Sequence, residues 1–363
     1  MADLSVNLKG LKLKNPIMPA SGPIVRNADC ILECARNGVG ALVTKTVSID
    51  ASSTPRPYIQ EIEGGLLNTA LWSEHSVQYW VESEYSRCKA SGLPLIISIG
   101  YTVEEIEKIV PLISPFADAV ELVTNYTGED INHVLQALNA ANEINKPVFM
   151  KLSPGIPNTG WYAKKLVEEG AAGFSVINSL GPCLNIDIET GMPFLGNSSG
   201  YTWLTGKAIK PLAMRYVYEI ANSVKVPIIG AGGISCGADV IEMFMAGASA
   251  VQICTAAMSE GPSIFQRIIN EVNDWLDAHN YSSINDIKGL AIDKIKTRKY
   301  INSTIVPTIN KDLCTSCEIC SKTCPYKAIH MKDSKAEISS EDCYGCGLCV
   351  TKCPVKAIHL NLG

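Results

Sequence analysis

The sequence predicts an α/β protein: a (β/α)₈ TIM barrel over residues 1–303, followed by a small cysteine-rich domain over residues 304–363. Three observations carry that prediction. Eight short apolar runs alternate with helical patterns through the first 255 residues. The seventh and eighth of those runs end in turns suited to an anion. Eight of the 14 cysteines crowd into the last fifty residues in two matching runs.

The apolar runs are 16–20, 41–44, 95–98, 119–122, 148–151, 173–177, 227–231 and 250–253. Each is short and bounded by turn residues, as expected of parallel strands buried on both faces. Between them, 103–113, 130–144, 207–224 and 238–246 place apolar residues three and four apart with charges between, which predicts helices. An open, doubly wound sheet would show the same periodicity. The barrel is favoured by Gly230-Ala231-Gly232-Gly233-Ile234 after the seventh run and Gln252-Ile253-Cys254-Thr255 at the eighth. Barrels commonly hold phosphate after these two strands, where glycines and a helix N-terminus let N–H groups approach an anion. The active site is therefore expected at the C-terminal ends of the strands.

The tail reads Cys314-x₂-Cys317-x₂-Cys320-x₃-Cys324-Pro325 and then Cys343-x₂-Cys346-x₂-Cys349-x₃-Cys353-Pro354. This is the spacing of bacterial ferredoxins with two 4Fe-4S clusters, in which three close thiolates hold one cubane and the fourth cysteine crosses to the other. On that pattern Cys314, Cys317, Cys320 and Cys353 hold one cluster, and Cys343, Cys346, Cys349 and Cys324 the other. Zinc needs four ligands, not eight in doubled form, and disulfides are disfavoured in a reducing cytosol. Gly345 and Gly347 let the backbone come close to the cluster sulfurs. The other cysteines, Cys30, Cys34, Cys88, Cys183, Cys236 and Cys254, are scattered and read as buried small residues. Cys183 stands apart because it follows a strand end that faces the predicted site.

With 47% hydrophobic and 18% charged residues and a net charge of −5, the chain reads as an ordinary globular protein. It contains no Lys/Arg block, so neither nucleic acid nor an anionic membrane is expected as a partner. No basic start followed by an apolar stretch opens the chain, and no run of about 18 apolar residues occurs, which predicts a cytoplasmic location.

Several motifs together resemble the dihydroorotate dehydrogenase superfamily, most closely the pyrimidine-reducing half of dihydropyrimidine dehydrogenase with its ferredoxin domain. They are Asn15-Pro16-Ile17-Met18-Pro19-Ala20-Ser21-Gly22, Thr44-Lys45-Thr46, Leu67-Asn68, Ser73-Glu74-His75 and Tyr79-Trp80. The likeness continues through Lys151-Leu152-Ser153-Pro154, Asn178-Ser179, Thr205-Gly206-Lys207-Ala208-Ile209-Lys210-Pro211, Gly232-Gly233 and Cys254-Thr255. The resemblance implies FMN bound by Ala20, Ser21, Lys45, Thr46, Lys151, Gly206, Gly232, Gly233, Cys254 and Thr255. Buried lysines suit that role, since reduced flavin concentrates negative charge around N1 and O2. Without the resemblance, Lys45 and Lys151 read equally well as surface residues at strand ends. Asn68, Asn178 and Ser179 are implied to hold the substrate's amide edges, because an amide side chain both donates and accepts. Asn68 also fits a cap or loop position before the helix near Ser73.

The chain departs from the family after the fourth strand. There the family reads Glu-Leu-Asn-x-Ser-Cys-Pro, with the cysteine (serine in some branches) as the acid or base facing the flavin, whereas this chain reads Glu121-Leu122-Val123-Thr124-Asn125-Tyr126-Thr127. Tyr126 takes the catalytic cysteine's place and Val123 that of the ligand asparagine. The Asn68 loop, where this chain reads Ile62-Glu63-Gly64-Gly65, also lacks the asparagine that dihydroorotate dehydrogenases use for their ligand. A phenol can transfer the proton if its conjugate base is stabilised; a water or Cys183 are the other donors. Trp72, Tyr201 and Trp203 lie in segments next to the site and fit either a pocket wall or packing. With Val123 they suggest a substrate other than a pyrimidine, so dihydroorotate and uracil are expected to react poorly.

The main expectation is an FMN and iron–sulfur oxidoreductase acting on a CH–CH or C=C bond of a small organic substrate, with electrons passing singly through two 4Fe-4S clusters. The external partner would be a ferredoxin or a separate NAD(P)H-oxidising flavoprotein subunit, and the chain is expected to form a homo-oligomer. The alternatives are a dihydropyrimidine or dihydroorotate dehydrogenase with Tyr126 in place of cysteine, or an electron-transfer subunit without its own substrate.

Overall fold

The computed structural model describes residues 1–124, 130–299 and 301–361. They form two compact units, Met1–Lys296 and Thr297–Gly363.

In the first unit eight strands run parallel: Ile17–Pro19, Leu42–Val43, Leu95–Ile99, Ala119–Val123, Val148–Leu152, Gly173–Val176, Ile228–Ala231 and Ala250–Ile253. From the second to the eighth each pairs with the next in sequence, and the eighth pairs with the first. The ring closes where Gly40 N donates to Ile17 O at 2.8 Å. A Cβ at Gly40 would lie 1.9 Å from Asn15 O, so glycine alone permits this approach. The (β/α)₈ barrel expected from the apolar runs is thus the observed architecture.

The third, fourth and fifth strands are buried at every position, which is why they read as apolar runs broken only once each, by Ser98, Glu121 and Lys151, and not as alternating ones. The helix Val103–Ile113 shows how the outer layer is specified. Thr102 caps it by accepting from Glu105 N, Glu104 and Glu105 occupy its first turn, and Ile106, Ile109, Val110 and Ile113 face the strands. The helices Asn132–Asn142 and Gly237–Met245 fall inside or beside their expected ranges. The stretch 207–224 begins as a 3₁₀ turn, Lys207–Ile209, before the α-helix Lys210–Ser223 with Pro211 in its first turn.

Two long connections, after the second and sixth strands, form something that the periodicity did not announce. They supply Ile59–Ile62, Gly65–Asn68, Leu180–Cys183 and Thr202–Thr205, which join as one antiparallel four-stranded sheet. Trp203 pairs with Asn68, Leu204 with Leu67 and Thr205 with Leu66. Half-exposed strands of four residues carry too little alternation to stand out in sequence.

The second unit is small. It has a hairpin, Ile329–Lys332 with Lys335–Ile338, a two-residue pairing of Thr308–Ile309 with Ile358–His359, and the short helices Ile319–Thr323 and Leu348–Lys352. Its core cluster comprises Cys320, Ile329, Ala336 and Ile358. Among the described residues no helix is long and apolar enough to cross a membrane.

A core this small rarely supplies more than about 3–5 kcal/mol, and natural domains of this size add metal or disulfides. Stripping iron from the holoprotein should therefore open residues 297–363 to limited proteolysis while 1–296 survives. Equal protection of the tail with and without iron would contradict this.

Candidate functional site

A cavity of about 780 Å³ opens at the C-terminal ends of the barrel strands, a size within the usual range for cofactor sites. Ala20 and Ser21 enter it after the first strand, Lys45 and Thr46 after the second, and Lys151 from the fifth. Asn178 and Ser179 follow the sixth strand, Gly232 and Gly233 the seventh, and Cys254 and Thr255 the eighth. The antiparallel sheet adds Asn68 and Trp203, with Gly206 just beyond. Every cofactor- and substrate-binding residue expected from the sequence therefore lines one space. Tyr126 lies outside the described residues.

The glycines form a cradle at one end. Gly206, Gly232 and Gly233 have φ of 94°, 118° and 76°. A Cβ on Gly206 would stand 2.6 Å from Gly65 Cα, and one on Gly233 would stand 2.6 Å from Lys210 Cβ. Such backbone approaches another chain segment or an anion without obstruction. The helix after the seventh strand contributes less than expected. Its N-terminus is already occupied by Asp239, which accepts from Ser235 N at 2.8 Å and Cys236 N at 3.1 Å and pairs with Lys210 at 2.6 Å.

The rest of the cavity wall is cationic and apolar by turns. Lys45 and Lys151 are 4% and 5% exposed, and Ser21 Oγ meets Thr46 Oγ1 at 3.0 Å. Burial pushes the Cys254 thiol up to about 11 despite both lysines, so it stays a protonated neutral group. Val123, 3% exposed, lines the cavity beside an aromatic pair, Trp72 and Tyr101, whose ring centroids lie 5.2 Å apart. Asn68 turns partly inward on its own fold: its Nδ2 donates to Trp203 O at 2.9 Å and its Oδ1 accepts from Ala70 N at 3.3 Å.

In the second unit the eight cysteines divide between two small cavities. Cys314, Cys317, Cys320 and Cys353 line one, and Cys324, Cys343, Cys346 and Cys349 the other. Among the described residues no three His, Cys, Asp or Glu side chains converge where a single ion could sit. Each thiol set instead surrounds a space, which suits a cubane better than zinc. N–H groups point at the sulfurs: Gly345 N donates to Cys343 Sγ at 3.4 Å and Ala357 N to Cys353 Sγ at 3.2 Å. Backbone N–H groups of Ala336 and Ser316 hold the Cys314 thiol below its usual range, which favours the ligating thiolate.

The family model described as dihydroorotate dehydrogenase matches residues 3–276. The chain belongs to the dihydroorotate dehydrogenase family. A second family model, the 4Fe-4S dicluster domain, matches residues 307–360. The chain is similar to the dihydroorotate dehydrogenase B (NAD(+)) catalytic subunit of Thermoplasma acidophilum, with 37% identity over 307 residues, 80% of this chain and 100% of the relative. The subunits of the same name from Methanothermobacter thermautotrophicus and Pyrococcus abyssi are 32% and 33% identical, each covering 80% of this chain and 99% of the relative. The remaining fifth of this chain lies outside these matches. As a dihydroorotate dehydrogenase family member the chain is a flavin-dependent oxidoreductase acting on CH–CH donors, and it carries a 4Fe-4S domain.

For this family member, some sequence candidates fall away from the cavity. Trp72 and Trp203 line it, but Tyr201 does not and is 51% exposed. Cys183 is also absent from the lining; its Sγ donates to Leu180 O at 3.5 Å within the antiparallel sheet. Tyr101 was missed, although its place two residues past the third strand is the kind of position that the barrel rule selects.

The cradle yields a direct test. Gly233→Ala puts a methyl group onto Lys210 Cβ and Gly206 O at a positive φ, so the loop must shift. FMN affinity of this variant should fall at least tenfold, about 1.4 kcal/mol, in a titration of the apoprotein. Unchanged affinity would show that the phosphate lies elsewhere.

Proposed function

We propose that this chain oxidises the CH–CH bond of dihydroorotate or a related dihydropyrimidine, using FMN in the barrel cavity and passing electrons to a partner subunit through two 4Fe-4S clusters. The observation that carries this reading is the cavity itself, with its glycine cradle at one end and two buried lysines in its wall. The names of the relatives favour dihydroorotate over the unrelated substrate that Val123 and Tyr126 suggested. The two four-thiol cavities support two clusters. They also support the narrower likeness to the pyrimidine-reducing half of dihydropyrimidine dehydrogenase. The relatives are called catalytic subunits of an NAD(+) enzyme, which supports a separate flavoprotein subunit as electron partner.

The residues present fit FMN. Gly206, Gly232, Gly233 and Thr255 would hold the phosphate, and Ala20, Ser21, Thr46 and Cys254 the ring. Lys45 and Lys151 would face its N1 and O2 edge. When bound, flavin supplies a hydride acceptor. The chain's own part is to orient the substrate's amide edge through Asn68, Asn178 and Ser179 and to take a proton from the carbon beside the one that loses hydride. Tyr126, at the family's cysteine position in sequence, is the proposed base. The substrate thereby loses one proton and one hydride and gains a C=C bond.

Under anaerobic conditions dihydroorotate or dihydrouracil should bleach the bound flavin, and orotate or uracil should restore its colour. Failure of all four compounds would overturn the proposed substrate class. Tyr126→Phe removes one oxygen and should leave FMN binding and photoreduction intact. The rate of flavin reduction by substrate should drop by roughly 10²–10⁴-fold, the usual worth of a positioned acid or base. A wild-type rate would assign the proton to another group.

A further inference from the structure

The barrel interior holds a network of charge below the cavity floor. Glu121, on the fourth strand, is 1% exposed. Its Oε1 accepts from Lys151 Nζ at 3.1 Å and from Ser98 Oγ at 3.2 Å, and its Oε2 accepts from Gln252 Nε2 at 2.8 Å. Ser175 Oγ in turn donates to Gln252 Oε1 at 3.1 Å. The third, fourth, fifth, sixth and eighth strands each contribute one member. Burial opposes ionisation of Glu121, but Lys151, Gln252 and Ser175 outweigh it and hold the carboxyl below its usual range. The second cavity lysine has a similar companion. Lys45 Nζ lies 3.6 Å from Glu74 Oε2; burial holds the lysine below its usual range, and that carboxylate only partly offsets it.

We propose that Glu121 and Glu74 are positioning residues that neutralise the two cavity lysines and thereby hold down the reduction potential of the flavin. The inference depends on FMN occupying the cavity as argued above. Two-electron reduction with uptake of one proton leaves one added negative charge on the flavin ring. Two uncompensated ammonium groups in a low-dielectric wall would stabilise that charge strongly. Paired with carboxylates, each lysine presents a dipole whose positive end faces the cavity. The ring is still oriented, yet the net field on it is small. The same carboxylates fix both side chains in place by direct contact, at 3.1 Å for Lys151 and 3.6 Å for Lys45. A lowered potential makes the bound flavin a stronger reductant toward the iron–sulfur clusters that the proposed function gives it as acceptors.

The test is the midpoint potential of bound FMN in the holoprotein, measured by anaerobic dye equilibration. Glu121→Gln keeps the shape and removes one negative charge. Its potential should rise enough to change the reduced-to-oxidised ratio at least tenfold, about 30 mV for a two-electron couple. Glu121→Asp retains the charge and should lie closer to the wild type than E121Q does. Glu74→Gln, at a side chain 30% exposed, should shift the potential the same way by a smaller amount and provides the reading even if E121Q fails to fold. A wild-type potential in E74Q, or in a folded E121Q with FMN bound, overturns the proposal. A wild-type protein that binds no FMN overturns instead the functional reading on which it depends.

Discussion

Closing eight parallel strands into a ring leaves nowhere in its wall for an unpaired polar group. The central strands are buried on both faces, so a polar side chain placed there must find partners among its neighbours or lie at the C-terminal end, where the ring opens. Both solutions are visible. Ser98, Glu121, Lys151, Ser175 and Gln252 satisfy one another inside. The cavity residues gather at the strand ends. The chemistry is positioned by the same constraint that closes the fold.

That constraint also explains what could be read in advance. Strands buried on both faces appear as short apolar runs whatever their partners, so all eight stood out, and the glycines after the seventh marked the cavity, whereas Lys45 and Lys151 were placed in it only by the family resemblance. The cysteine runs were legible because ligand spacing is a local property of the chain. The antiparallel sheet was not, because its pairing joins residues such as Asn68 and Trp203 that are distant in sequence. Tyr101 was overlooked for a related reason. Its meaning comes from its contact with Trp72 on another connection. Asp239 was invisible as the occupant of a helix N-terminus, since only the folded loop brings Lys210 and Ser235 against it.

Asn68 illustrates how a structural and a binding role coexist in one side chain. Its donation to Trp203 O and its acceptance from Ala70 N use one group on each side of the amide. A second N–H and a second lone pair remain for a ligand. Asn68 caps no helix, since the helix Val77–Tyr79 is capped by Ser76; the loop reading and the ligand reading are compatible, and the internal bonds orient the amide before any ligand arrives.

The bond from Asn68 to its cross-strand partner has a consequence for how the cavity roof can diversify. A slip of one residue along a strand pair would exchange the faces of every side chain on it, but the amide fastens Asn68 to the carbonyl of Trp203 and fixes that pairing at one point. The excursion between Leu180–Cys183 and Thr202–Thr205 is thereby relieved of setting the alignment. Insertions or deletions within residues 184–201 can accumulate over evolutionary time without displacing the Asn68–Trp203 pairing, so that connection is free to vary in length while the cavity-lining strand beside it keeps its alignment.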